Sequence, residues 1–234
     1  MDISNNLYTD WESYRLSDMI NVPIVRYGKS INKLYKNEYE RYLHDFPNSI
    51  ASKYISLLNI ENCTHEGMII KLLDNVIQDH KFKPNTNDDI YIHLRLGDIV
   101  LADNDVRFNR KLSPKEICIN GLLLKYGQVE MYYFFPWSHY YDKLKKITKN
   151  GASKKIKIVG GCHRKNKGIE ESIEILRLYK IQLEKYGYEV EFKIGGNPDE
   201  DFITLSNAKY CIEGGGGYGK LIKNYRLFKK LDFE

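Results

Sequence analysis

The sequence lacks the features that mark a membrane-spanning or exported chain. No run of about 18 apolar residues occurs in it, so a transmembrane helix of ordinary length is not predicted. The N-terminal segment carries acidic residues where the apolar core of a signal peptide would lie, namely Asp2, Asp10, Glu12 and Asp18. We therefore expect a cytoplasmic protein without a transmembrane segment.

Cysteine is scarce and widely spaced. The four residues stand far apart and form no CxxC pair: Cys63, Cys118, Cys162 and Cys211. Zinc sites and disulfide frameworks need regularly spaced thiols, so neither is predicted. Buried free thiols are the expected role, because no sequence feature supplies Cys162 with a base partner or a lowered pKa.

No long block of one charge sign occurs. Lys and Arg number 36 against 31 for Asp and Glu, and the formal net charge of +5 is spread along the chain. Such a surface suits phosphate-bearing ligands. Zinc-finger spacing, a helix-turn-helix pattern and a basic-aromatic RNA-binding signature are all missing, so we expect no nucleic-acid partner. No pattern fixes an oligomeric state.

Two regions differ in their patterning. Residues 1–88 are predicted to be mainly helical, with the clearest amphipathic stretches at Lys33–Phe46 and Gly67–His80. The polar stretch Lys81–Asp89 predicts a connecting loop. Residues 89–234 alternate between strand and helix patterns and predict a separate α/β domain.

Short apolar runs rich in β-branched residues define the strands of the second region. The strand candidates are Ile90–Leu96, Val129–Phe135, Lys155–Val159, Glu189–Ile194 and Lys209–Ile212. The helix candidates are His139–Thr148, Lys167–Tyr186, Glu200–Asn207 and Tyr218–Leu231. Five strands that alternate with helices predict a Rossmann-like parallel sheet with helices on both faces. Ligands of such sheets bind beyond the carboxyl ends of the strands.

The segment Ile90–Asp98 is the most informative strand. Its apolar and polar residues alternate, so His93 and Arg95 point to the same side near the carboxyl end, before a tight turn that Gly97 permits. An arginine there can bind a diphosphate and offset the charge that grows on it as a glycosidic bond breaks. The alternative is structural: an ion pair between Arg95 and Asp98 that fixes the turn, beside a satisfied histidine.

A glycine-rich turn follows the last predicted strand. It consists of Gly214, Gly215, Gly216 and Gly217, and a new helix is predicted to begin near Tyr218. Glycines at a strand-to-helix turn let an anion approach the backbone, and the next helix presents free N–H groups there. The turn therefore predicts a phosphate site. A flexible turn is the alternative, since the run matches neither the dinucleotide fingerprint nor the P-loop spacing.

Two further segments contain candidates for the same crevice. His163 follows the predicted strand Lys155–Val159 and could reach a ligand, although we slightly favour a solvated loop histidine beside basic residues. Trp137 ends the aromatic run Tyr132–Trp137 and is a candidate for stacking on a sugar or a base. Core packing explains most of that run.

The spacing His93-x-Arg95-x-Gly97-Asp98 resembles the HxRxGD motif of the α1,2-, α1,6- and protein O-fucosyltransferase superfamily, where it opens the donor-binding half of a GT-B fold. The segment from Asp201 to the glycines is similar to the closing motif of that superfamily. The resemblance implies that Arg95 binds the β-phosphate of the donor and assists the leaving group. It places His93 and Asp201 near the guanine nucleotide and implies that the backbone of Gly215–Tyr218 holds the diphosphate.

The resemblance further implies an inverting, metal-independent glycosyltransferase. The expected donor is GDP-fucose, the expected acceptor is a glycan hydroxyl, and no cofactor is expected beyond the GDP-sugar substrate. Asp98 is a candidate general base, with a structural role as the alternative. Asp103-Asn104-Asp105 has the form of a DxD metal motif, but it follows a charge-rich loop and we predict no metal there.

The sequence departs from the superfamily pattern at several places. Leu96 stands where many members carry a second arginine, and Gly160–His163 replaces a Ser-Asp-Asp type strand end. The region 1–88 is short for an acceptor domain, and we interpret it as a reduced acceptor-side region. Two alternatives stay open: another nucleotide-sugar or polysaccharide-modifying transferase on the same fold, or a catalytically inactive nucleotide- or glycan-binding module.

Overall fold

A computed structural model of the chain describes residues 74, 77–78, 83–84, 89–101, 105–126, 128–162 and 168–231. The chain divides into two compact units, and the α/β unit described below contains residues 84–231. Three residues of the predicted helix Gly67–His80 have helical backbone, namely Asp74, Ile77 and Gln78. The helix predicted at Lys33–Phe46 lies outside the described residues, and the division into domains 1–88 and 89–234 stays a prediction.

Six strands and five α-helices make up the described part of the α/β unit. The strands β1 to β6 are Ile90–Leu96, Leu122–Tyr126, Val129–Phe134, Lys155–Cys162, Glu189–Ile194 and Tyr210–Ile212. The helices α1 to α5 are Pro114–Asn120, Trp137–Lys149, Ile169–Lys185, Pro198–Asn207 and Gly216–Phe228. A short 3-10 helix, Gly97–Leu101, follows β1 directly. The predicted bounds of β1 and β5 are confirmed.

Four of the strands form one parallel sheet in the order β5-β4-β1-β6. Counted along the chain, this order is 3-2-1-4, which is how a doubly wound sheet begins. The order reverses between β1 and β6, and such sheets open a ligand crevice beyond the strand ends at this reversal. The described fold is therefore α/β and consistent with the predicted Rossmann-like layer.

The prediction of five parallel strands is wrong in one strand. Val129–Phe134 pairs antiparallel with Leu122–Tyr126, and the two form a separate β2–β3 hairpin. Only two residues separate these strands, whereas a parallel pair needs a crossover of a dozen or more residues. Neither β2 nor α1 was predicted from the sequence, and without its partner β2 the strand β3 was assigned to the main sheet.

The two faces of the sheet are covered by different helices. Ile92 and Leu94 of β1 belong to a buried core that also contains Tyr140 of α2 and Leu176 of α3. Helices α4 and α5 contact each other, and α4 also contacts β1 and β4. Because side chains alternate along a strand, His93 projects away from this core and toward α4 and α5. No helix in the described part of the chain is long and apolar enough to cross a membrane.

A buried arginine ties α5 to the end of α4. Arg226 is 2% exposed, and its guanidinium donates hydrogen bonds to the carbonyl oxygens of Leu205 at 3.2 Å and Ala208 at 2.5 Å. Two further bonds reach the carbonyl oxygens of Lys209 at 3.5 Å and Leu231 at 3.2 Å. The last carbonyls of a helix have no intrahelical donor, so Arg226 satisfies groups that would otherwise be buried unpaired.

Replacing this arginine should destabilise the protein strongly. Arg226→Met keeps much of the side-chain volume but removes the donors of four carbonyls, which should lower the free energy of unfolding by about 2–4 kcal/mol. Arg177→Met is the matched control, because Arg177 is 56% exposed and such surface pairs contribute at most about 1 kcal/mol. Urea unfolding followed by circular dichroism measures both variants. Equal unfolding midpoints would contradict the assigned role of Arg226.

Candidate functional site

A cleft opens beyond the carboxyl ends of the central strands, on the face covered by α4 and α5. The empty space in the cleft and its open mouth together is about 410 Å³, and the mouth opens to solvent. Its walls include His93 and Arg95 from β1, Gly160 from β4, Asp201 and Leu205 from α4, and Tyr218 from α5. His93 and Arg95 therefore share the cleft, as the alternation in β1 predicts.

Arg95 lies against both an aromatic ring and the glycine turn. Its guanidinium carbon is 5.3 Å from the centroid of the Tyr133 ring. A Cβ atom added to Gly216 would stand 3.2 Å from Cδ and 3.3 Å from Nη1 of Arg95. The Nε atom is buried and has no hydrogen-bond partner among the described residues. Arg95 therefore brings a buried donor to the place where the turn approaches the strand.

Burial and a nearby carboxylate act in opposite directions on the pKa of Arg95. Burial lowers the pKa of the Arg95 guanidinium from its usual value, and the nearby Asp98 carboxylate opposes that shift. Arginine stays protonated in proteins at neutral pH because its intrinsic pKa is so high. The sequence offered a choice between a ligand role and a structural pair with Asp98, and the electrostatic contact between the two side chains is compatible with both.

The turn after β1 is fixed by contact with α3. Gly97 has a φ of +82°, and its N–H donates to Ser172 Oγ at 3.0 Å. The Ser172 hydroxyl in turn donates to the carbonyl oxygen of Gly168, and a Cβ atom at Gly168 would collide with the carbonyl oxygen of Gly97. These contacts hold the strand end, and with it Asp98 in the first turn of the 3-10 helix.

His93 lies against the start of the glycine turn. Its ring centroid is 5.1 Å from that of Tyr218, with 46° between the ring planes. A Cβ atom at Gly214 would stand 2.7 Å from His93 Nδ1. Packing against the histidine therefore requires glycine at position 214 whether or not a ligand is bound.

The other three positions of the turn differ in whether packing or backbone conformation requires glycine. A Cβ atom at Gly215 would stand 2.5 Å from the carbonyl oxygen of Tyr133, and Gly216 has a φ of +78° in the left-handed region. A Cβ atom at Gly217 would meet no heavy atom of the described chain within 4 Å, and the φ of Gly217 is not left-handed. Neither packing nor backbone conformation explains why position 217 is glycine.

Helix α5 begins at this turn without a side-chain cap. Its N-cap residue is Gly215, whereas Ser113 caps α1 and Asn197 caps α4 through side-chain oxygens. The first N–H groups of a helix lack intrahelical acceptors, and the helix dipole adds partial positive charge there. An anion at the start of α5, beside Gly216, would therefore find N–H donors as well as Arg95.

Asp201 adds a carboxylate to the wall of the cleft, opposite in charge to Arg95. Its carboxylate is 8% exposed and lies 2.9 Å from Lys193 Nζ. Burial raises the pKa of Asp201, and the contact with Lys193 opposes that shift. A carboxylate accepts hydrogen bonds, so this part of the cleft suits an N–H or O–H group of a ligand more than a phosphate.

The remaining candidates from the sequence lie elsewhere. His163 is outside the described residues. Trp137 does not line the cleft; it begins α2 and packs edge-on against Tyr179, with ring centroids 5.3 Å apart. Tyr133 lines the Arg95 side of the turn and was missed, because the aromatic run predicted core packing and no local pattern showed which ring would meet Arg95.

Of the DxD-like string only Asp105 is described, and its carboxylate is paired within the protein. The buried Asp105 carboxylate accepts hydrogen bonds from Arg107 at 2.7 Å and 3.0 Å and from the N–H of Leu123 at 3.0 Å. Asp103 and Asn104 lie outside the described residues. Among the residues that are described, no group of three His, Cys, Asp or Glu side chains could hold a metal ion.

No family model matches the chain, and no curated protein or solved structure matches it either. The geometry of the cleft and the His93–Asp98 segment therefore carry the functional interpretation.

Alanine substitutions should separate the two kinds of glycine in the turn. Gly217→Ala should leave stability unchanged or raise it by up to about 1 kcal/mol, because alanine is the better helix former and its Cβ meets open space. Gly216→Ala should lower the free energy of unfolding by about 1 kcal/mol or more, because of its left-handed φ and its contact with Arg95. Urea unfolding measures both. Equal losses would mean that packing also requires glycine at 217.

The buried carboxylate predicts a pH dependence of definite sign. Since the pKa of Asp201 is raised in the folded state, its contribution to stability is full below its usual pKa of 3.8 and is lost as the pH rises through the folded-state pKa. Asp201→Asn should thus be at least as stable as wild type at about pH 7, and its advantage should shrink toward about pH 4. Melting temperatures across this range measure the difference.

Glu174→Gln is the control of opposite sign. Its contact with Arg177 lowers the pKa of the Glu174 carboxylate, so any contribution it makes is present at neutral pH and is lost as the pH falls. If Asp201→Asn were less stable than wild type, and by more at neutral than at acid pH, the pairing of Asp201 with Lys193 would outweigh the effect of burial.

Proposed function

We propose that the α/β unit binds the diphosphate of a nucleotide-sugar and that the chain is a glycosyltransferase. The carrying observation is the convergence of Arg95, with its unpartnered Nε, and the turn Gly214–Gly217 where the strand order reverses. Doubly wound sheets bind nucleotide ligands at this reversal. Neither packing nor backbone conformation requires glycine at position 217. A phosphate bound close to the backbone would require it, so this glycine supports the proposal.

The cleft offers groups of two kinds, which fit the two parts of a nucleotide. Arg95 and the first N–H groups of α5 favour an anion, while Asp201 accepts hydrogen bonds from a base or a ribose. Guanine presents an amino donor that a carboxylate can accept, which agrees with the resemblance to GDP-fucose-dependent enzymes. We therefore propose GDP-fucose as the donor and a glycan hydroxyl as the acceptor.

The proposed reaction is a single displacement at the anomeric carbon. The acceptor oxygen forms a bond to that carbon, the bond from the carbon to the β-phosphate oxygen breaks, and the hydroxyl proton passes to a base. Arg95 and the N–H groups of α5 stabilise the negative charge that grows on the departing diphosphate. Asp98, whose carboxylate lies near Arg95, is the candidate for that base, and a structural role beside Arg95 is the alternative.

A thermal-shift titration tests the nucleotide site. A ligand present at about 100 times its Kd stabilises the folded state by about 2.7 kcal/mol, so GDP should raise the melting temperature by several degrees. UDP, CMP and dTDP should give smaller shifts. Arg95→Ala should abolish the shift with GDP, whereas the surface control Arg177→Ala should retain it.

Two outcomes would redirect the proposal. Stabilisation by UDP or dTDP in place of GDP would keep a nucleotide-sugar transferase and replace the sugar donor. GDP binding without release of GDP from GDP-fucose, with or without glycan acceptors, would indicate the inactive binding module. No shift with any nucleotide at millimolar concentration would contradict the nucleotide site itself.

A further inference from the structure

The β2–β3 hairpin touches both parts of the proposed anion site. The ring of Tyr133 on β3 faces the guanidinium of Arg95, and its Cδ1 would stand 3.6 Å from a Cβ atom at Gly216. The carbonyl oxygen of the same tyrosine lies against Gly215. One residue of a hairpin outside the parallel sheet thus contacts the arginine and the glycine turn together.

A neighbouring arginine shows a different way of holding a guanidinium. Arg107 lies 5.4 Å from the Tyr132 ring and is also bound in the guanidinium plane by the Asp105 carboxylate, at 3.0 Å and 2.7 Å. That pairing occupies Nε and Nη2 of Arg107. The guanidinium carbon of Arg95 lies over the Tyr133 ring, and its Nε is left without a partner within the described chain.

These two arrangements have different chemical consequences. A carboxylate in the guanidinium plane occupies the N–H groups that an anionic ligand would need. A ring on the guanidinium face restrains its orientation through the cation–π attraction and leaves the in-plane donors available. Stacking is therefore the arrangement that suits a guanidinium awaiting a phosphate.

We propose that Tyr133 is a positioning residue, whose ring face holds the Arg95 guanidinium in the plane required for a diphosphate at the glycine turn. The proposal deepens the function proposed above and rests on it for the identity of the ligand. The hairpin contributes the residue that orients the key cation, while the parallel sheet contributes the cation itself.

Calorimetric titration of the full chain with GDP tests the binding consequence. Tyr133→Phe keeps the ring face and should bind GDP within about twofold of wild type. Tyr133→Leu removes the face and should weaken binding on the order of tenfold, the scale of a desolvated cation–π contact. Tyr132→Leu is the matched control on the same strand, and it should bind GDP as wild type does because its ring meets Arg107.

The Nε–Hε resonance of Arg95 gives a second readout that needs no ligand. We expect it to show an aromatic ring-current shift in wild type and in Tyr133→Phe and to lose that shift in Tyr133→Leu, with Arg95→Lys providing the assignment. The resonance separates the two proposals: a ring-current shift without any GDP binding would refute the nucleotide site and leave the stacking intact.

Three results would overturn the positioning role. Tyr133→Leu could bind GDP as tightly as wild type. Tyr133→Phe could lose binding as severely as Tyr133→Leu, and this second result would assign the effect to the hydroxyl. A wild-type resonance without a ring-current shift would refute the stacking even where Tyr133→Leu fails to fold.

Discussion

Close backbone contact around the end of β1 is the constraint on which the candidate site depends. Gly160 of β4 lies against the carbonyl of Leu94, Gly168 against that of Gly97, and Gly214 against that of His93. Because none of these neighbours carries a side chain, β1 is enclosed at its carboxyl end by backbone. The side chains of His93 and Arg95 share one side of β1 and both line the cleft that opens there.

The sequence predicted the part of the fold that rests on local periodicity. Alternation in β1 gave its bounds and the shared side of His93 and Arg95, and β5 was bounded correctly from its own pattern. The helix predicted at Lys167–Tyr186 ends where expected, and Gly187 follows its C-cap residue Tyr186 with a φ of +80°, as a helix-terminating glycine should. Each of these features is decided by neighbours within a few residues along the chain.

The failures come from interactions that periodicity does not contain. Val129–Phe134 looks like any other buried strand, and its place in a hairpin depends on a partner strand that lacks a distinctive alternation. Helix α5 begins at Gly216, earlier than Tyr218, because tertiary packing overrides the poor helix propensity of glycine. The contact between Tyr133 and Arg95 joins β3 to β1, so no local pattern reveals it.

The buried Arg226 also affects how the cleft responds to a ligand. Arg226 bonds the body of α5 to the end of α4, and near their other ends the Tyr218 hydroxyl donates to the carbonyl oxygen of Pro198 at 2.6 Å. The helices that carry Asp201 and the glycine turn are thus fastened at two separated points. The spacing between these two walls is preorganised, and little conformational entropy remains to be lost there when a ligand binds. Any induced fit would then be confined to the hairpin side, where a single aromatic ring orients the cation.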